Sequence, residues 1–121
     1  MPARIVEIVD DLIKVQVSGL LTSTELAEVQ KRTAQHIDET GPIRYLIVAD
    51  NFLGWAKEGD WGNVSFQAEY DAYIEKMALV GNKEWEELVV LFTGQGVRRF
   101  PIRYFLHAEI DKAHAWIMEP A

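Results

Sequence analysis

The chain opens on two runs rich in β-branched residues, Arg4 to Val9 and Leu12 to Val17, separated by Asp10-Asp11. In the second run Ile13, Val15 and Val17 alternate with Lys14 and Gln16, the two-residue period of a strand with one wet face. An antiparallel hairpin is expected, ended by Ser18-Gly19. Helical spacing then takes over. Thr22 and Glu25 stand as a capping box, and Leu21 and Leu26 occupy the two positions of a hydrophobic staple. Leu26, Val29, Thr33 and Ile37 share one face until Gly41-Pro42, which carries the helix to about Thr40.

Ile43 to Ala49 contains Tyr45-Leu46-Ile47-Val48, a continuous apolar run that fits a strand covered on both faces, and Met77 to Val80 has the same character. Between them a segment from Asp60 places Trp61, Ser65, Ala68 and Ala72 on one face, which predicts a second helix. Asn82 is a good N-cap for a third, with Trp85, Leu88, Val89 and Phe92 as its apolar stripe and Gly94 as its stop. Ile102 to Phe105 predicts a last strand, with Pro101 at its edge. Ala113, Trp116 and Ile117 give the inner face of a final helix that Pro120 cannot extend. The order ββαβαβαβα implies an α/β fold: a mixed, mostly parallel sheet of about five strands flanked by about four helices.

Length and composition narrow this picture. The 121 residues, 49% hydrophobic and 26% charged, suit one domain spanning 1–121 with a core of ordinary size. With no cysteine, the sequence has no disulfide, thiolate metal site or cysteine nucleophile. The start lacks the apolar run of a secretory signal and no apolar stretch is long enough for an integral membrane segment, so a cytoplasmic protein is expected. A formal net charge of −7 repels phosphate backbones. Arg98, Arg99 and Arg103 are the local exception and are expected to form surface ion pairs, not a nucleic-acid stripe.

Several segments, taken in order, resemble the SpoIIAA-like family, a branch of the STAS fold also compared with the lipid-transfer CRAL-TRIO domain. They are Ile43-Arg44-Tyr45-Leu46-Ile47-Val48 followed by Phe52-Leu53-Gly54-Trp55, then Met77-Ala78-Leu79-Val80-Gly81-Asn82-Lys83-Glu84-Trp85, and Ile102-Arg103-Tyr104-Phe105 leading to Ala113-His114-Ala115-Trp116-Ile117. The resemblance implies a non-enzymatic protein, a homodimer, an ability to hold lipids or other apolar molecules, and peripheral membrane contact. It also implies a regulatory switch by phosphorylation of a serine just after the third strand. Here that turn reads Asp50-Asn51-Phe52-Leu53-Gly54, and no serine or threonine lies between Arg44 and Val64. The hydroxyl a kinase would modify is missing.

Ligands of open α/β sheets gather outside the carboxyl ends of parallel strands, which directs attention to Asp50 to Trp61. Phe52, Trp55 and Trp61 are candidate walls for an acyl chain or ring system, with Asp50, Asn51 and Lys57 to orient a polar head. Alternatively, Gly54-Trp55 is a structural turn whose indole closes the end of the core, and Asp50 a local cap. Asp50 and Asp60 are a candidate pair for acid and base duties. His36, His107 and His114 have no metal-ligand spacing beyond a distant i,i+7 pair. Thr93-Gly94-Gln95-Gly96-Val97-Arg98-Arg99 follows a helix and lacks the spacing of a phosphate loop, and Ser65 lacks a nucleophile elbow. The expected function is binding of an apolar small molecule or lipid, without cofactor or metal. The alternative is a STAS-like interaction module using the same loop.

Overall fold

A computed structural model describes residues 3–59, 61, 65–95 and 97–120. Ala3–Val9 (β1) and Leu12–Leu21 (β2) pair antiparallel around Asp10-Asp11. Asp10 takes φ 55, a left-handed value that aspartate tolerates better than most residues. Thr22 then caps α1 (Ser23–Thr40), its side-chain oxygen accepting the Glu25 amide at 3.2 Å. Gly41 ends the helix at φ 96 and ψ −155, a conformation that only glycine enters readily, and its N–H donates to Ile37 O at 2.8 Å.

Ile43–Trp55 (β3), Ile74–Gly81 (β4) and Ile102–Leu106 (β5) extend the sheet in the sequential order β1-β2-β3-β4-β5, with all pairs after the first parallel. Crossovers of one hand between successive neighbours put their helices on one face. That face carries α1, α2 (Ser65–Tyr70) and α3 (Glu86–Thr93), packed on Ile13, Val15, Tyr45, Met77 and Leu79. Among the described residues the opposite face is covered by α4 (Ile110–Met118) alone, whose Ala113 and Ile117 pack on Leu12, Leu46, Ala78, Val80 and Phe105.

Two helices differ from expectation. The second spans only Ser65–Tyr70, preceded by Trp61 in a turn and followed by a 3₁₀ turn over Asp71–Tyr73. Its inner face is Phe66, Gln67 and Tyr70, while Ser65, Ala68 and Ala72 are exposed. The stacked Phe66–Tyr70 pair, with centroids 5.4 Å apart, has far more apolar surface to bury than serine and alanines. Asp60 lies outside the described residues, so its pairing with Asp50 has no structural account. In α3, Val89 and Val90 turn inward and Leu88 is half exposed. Asn82 makes no side-chain cap there and opens a 3₁₀ turn over Lys83–Trp85 instead.

A buried polar chain ties α1 to the sheet: the Tyr45 hydroxyl donates to Thr33 Oγ1 (2.6 Å), which donates to Val29 O (2.9 Å). Burial pushes the Tyr45 hydroxyl well above the usual tyrosine range, against smaller opposing effects of Thr33 and Arg98. Burial, then Glu86, pushes Tyr104 up to about 12. Both groups stay protonated in the folded chain where the unfolded chain has released its protons. Their contribution is therefore full below about pH 10 and is lost as pH rises through the folded values. Urea midpoints are expected to fall between about pH 10 and 12, with a shallower fall in Tyr104→Phe.

Candidate functional site

The second half of β3 shapes the site. Ser18, Gly19, Leu20 and Leu21 of β2 pair with Asp50, Phe52, Gly54 and Trp55, so Asn51 and Leu53 are extra residues bulged out of the ladder. The expected strand end at Ala49, and the expected hairpin end at Ser18-Gly19, are both too early, because the two segments pair with each other. Asp50 to Trp55 is strand, not a connection into a helix. Each extra residue resets the alternation, so Ala49, Phe52 and Trp55 all line the helix-covered side. Asn51 absorbs the first bulge at φ 53. Gly54 absorbs the second at φ 105, where a Cβ would meet the Trp85 ring at 3.4 Å.

Between this side of the sheet and the three helices lies a cavity of about 690 Å³, within the size range of small-molecule sites. Val15, Val17, Ile47 and Leu79 contribute to its floor, and Ala27 of α1, Phe66 of α2 and Val89 of α3 to its roof. Five aromatic rings group at the carboxyl ends of the strands. Phe52 meets Trp55 and Trp85 edge-on at 5.1 and 5.0 Å, Trp55 lies 5.0 Å from Phe92, and Phe92 lies 5.7 Å from Trp61. Edge-to-face contacts at these distances contribute about 0.5–1.5 kcal/mol each beyond burial. Trp61 is tied by its indole N–H to Ala56 O at 2.9 Å. The indole N–H of Trp55 and the side-chain carbonyl of Gln67 are buried without a partner among the described residues.

The structure thus joins Phe52, Trp55 and Trp61 on one cavity and leaves Asp50, Asn51 and Lys57 exposed and outside it. Those three are not positioned to hold a head group there. Asp50 pairs in register with Ser18 on the strand, and Asn51 serves the bulge. Three contributors were not anticipated as site residues. Trp85, at the end of the 3₁₀ turn, packs on Phe52 and Trp55, and Phe92 of α3 lines the cavity; their seven-residue spacing is legible as a helix stripe but not as a cluster facing β3. Arg98 is the third. Instead of a surface ion pair, it is largely buried with Asp71, both side chains being 15% exposed. Among the described residues, no group of three His, Asp or Glu side chains is arranged to hold a metal, and no helix is long and apolar enough to cross a membrane.

Among the described residues, a four-stranded parallel sheet with one antiparallel edge strand, three helices over a cavity and one behind define a mixed α/β fold of the SpoIIAA-like kind. The SpoIIAA-like family model matches residues 12–118, and the chain belongs to that family. Among solved structures it is similar to an uncharacterised protein with a SpoIIAA-like fold from Shewanella loihica PV-4, with a TM-score of 0.71 and 16% identity over 95% of this chain and 91% of that one. At that identity the likeness concerns the fold. No curated protein matches the chain.

Proposed function

We propose that this protein binds an apolar or lipid-like small molecule, without chemistry, in the cavity beneath α1, α2 and α3. The reading rests on one observation: about 690 Å³ of space whose walls include Phe52, Trp55, Trp61 and Phe92. A chain selected only to close its core would fill such a volume, since each void forfeits dispersion contacts along its lining. The reading takes the protein to be cytoplasmic and homodimeric, with at most peripheral membrane contact.

Native mass spectrometry with added fatty acids tests it. One ligand per chain is expected, with quenching or shift of the fluorescence of the tryptophans on the cavity. Trp55→Ala is expected to weaken binding by about ten- to a hundredfold, through loss of an aromatic wall of roughly 1.5–3 kcal/mol. No bound species and an unmoved fluorescence spectrum would sink the proposal.

That result would favour the second reading, an interaction or regulatory module of the kind a SpoIIAA-like fold supports. One observation serves it: Leu53, thrown out by the second bulge, is 70% exposed, while Phe52 is only 7% exposed and buried among the tryptophans. A partner on this segment would touch Leu53 and not Phe52.

A further inference from the structure

The cavity has two chemically different ends. Phe52, Trp55 and Phe92 line it at the carboxyl end of β3. Toward the amino-terminal ends of β4 and β5 the lining includes Arg98, the only cationic side chain on the cavity among the described residues. Its surroundings hold it still. Nε donates to Asp71 Oδ2 at 2.9 Å and Nη2 to Asp71 Oδ1, a side-on fork that fixes the guanidinium plane. Nη1 donates to Thr93 O at 3.3 Å, and the group lies 4.7 Å from the centroid of the Phe100 ring.

A guanidinium carries five N–H donors, and three are engaged. Two remain, one on each terminal nitrogen, without a partner among the described residues. The nearby Tyr45 hydroxyl is already committed to Thr33. Resting on the apolar-ligand reading above, the geometry points to a more definite ligand: an elongated apolar acid whose carboxylate sits on Arg98 and whose chain runs toward the Trp55 and Phe92 rings. Asp71 selects the charge as well as the orientation. With Asp71 and Arg98 balanced, a monoanion leaves one net negative charge in a poorly hydrated site, whereas a dianionic phosphate leaves two, at a much greater desolvation cost.

The probes are dodecanoic acid and 1-dodecanol, equal in chain length and different in charge, titrated against tryptophan fluorescence. The acid is expected to bind wild type about tenfold or more tightly than the alcohol, as a charge-assisted hydrogen bond implies. Arg98→Gln is expected to abolish that preference, through a larger loss for the acid than for the alcohol. If circular dichroism shows that this variant is unfolded, Arg98→Lys, which keeps the charge but not the fork, is expected to narrow the preference. Equal binding of acid and alcohol to wild type, or an acid preference undiminished in the folded variant, overturns the Arg98 assignment and leaves the apolar pocket standing. Binding of neither probe overturns the pocket itself.

Discussion

Lys76→Met is expected to lower stability by about 2 kcal/mol and to expose the amides of α4 to hydrogen exchange before those of the sheet. Lys76 is 5% exposed, and its ammonium donates to Trp116 O at 2.8 Å and Glu119 O at 3.0 Å, above the Trp116 ring at 4.8 Å. Arg44 joins it through Nη1, donating to Ile117 O at 2.8 Å and Glu119 O at 2.6 Å. Two cations from the middle of the sheet thus meet the carbonyl end of the one helix on that face, where the helix dipole is negative. Methionine keeps the apolar stem and relieves the burial of a charge, which offsets part of the loss. The hydrogen bonds prevail because charge-assisted bonds contribute about 1.5–3 kcal/mol each and two are lost.

Arg44 sets the size of the companion effect. Its Nε lies 3.3 Å from Asp11 Oδ2, close enough for ion pairing but without hydrogen-bond alignment. Glu119 O is shared by both cations, so a double Lys76→Met, Arg44→Met variant is expected to lose more than the sum of the singles. Strict additivity in urea denaturation would show that the helix end is satisfied by water instead.

Most of the architecture was legible because local signals agreed. Thr22 with Glu25 marked the start of α1, Gly41-Pro42 its end, and the unbroken run Tyr45-Leu46-Ile47-Val48 a strand buried on both sides. The strand and helix alternation then left few topologies. What was not legible depended on distant partners. Ser18-Gly19 and Asp50-Asn51 both carry turn chemistry, yet Ser18 pairs with Asp50 and Gly19 with Phe52, and the bulge at Asn51 disguises the pairing. Glu75 and Lys76 interrupt the apolar pattern at the start of β4, and the carbonyls that satisfy Lys76 lie 40 and 43 residues further on.

The site was half legible for the same reason. Aromatic residues after a parallel strand pointed to Phe52, Trp55 and Trp61, and all three line the cavity. The polar partners assigned to them by proximity in the chain, Asp50 and Asn51, are carried away by the strand's pleat and bulge. The charged group that does line the cavity is Arg98, 43 positions beyond Trp55 and held by Asp71. Nothing local in Val97-Arg98-Arg99 separates the buried arginine from its exposed neighbour.

The same substitution at two leucines measures whether the cavity stands open in solution. Leu46 on β3 is 0% exposed and packed against α4, on the face without the cavity. Leu79 on β4 is 3% exposed and lines the cavity. A leucine surrounded by protein loses contacts on every side when truncated, so Leu46→Ala is expected to cost about 4–5 kcal/mol. Leu79 is nearly as enclosed but borders the cavity, so the space left by Leu79→Ala merges with it, and the substitution is expected to cost about 2–3 kcal/mol, with no new isolated void. Near-equal costs in chemical denaturation would mean that the helices close over the sheet and fill the space. The difference should also respond to ligand. A bound acyl chain packs against the Leu79 side of the cavity, so saturating dodecanoic acid is expected to raise the cost of Leu79→Ala while leaving that of Leu46→Ala unchanged.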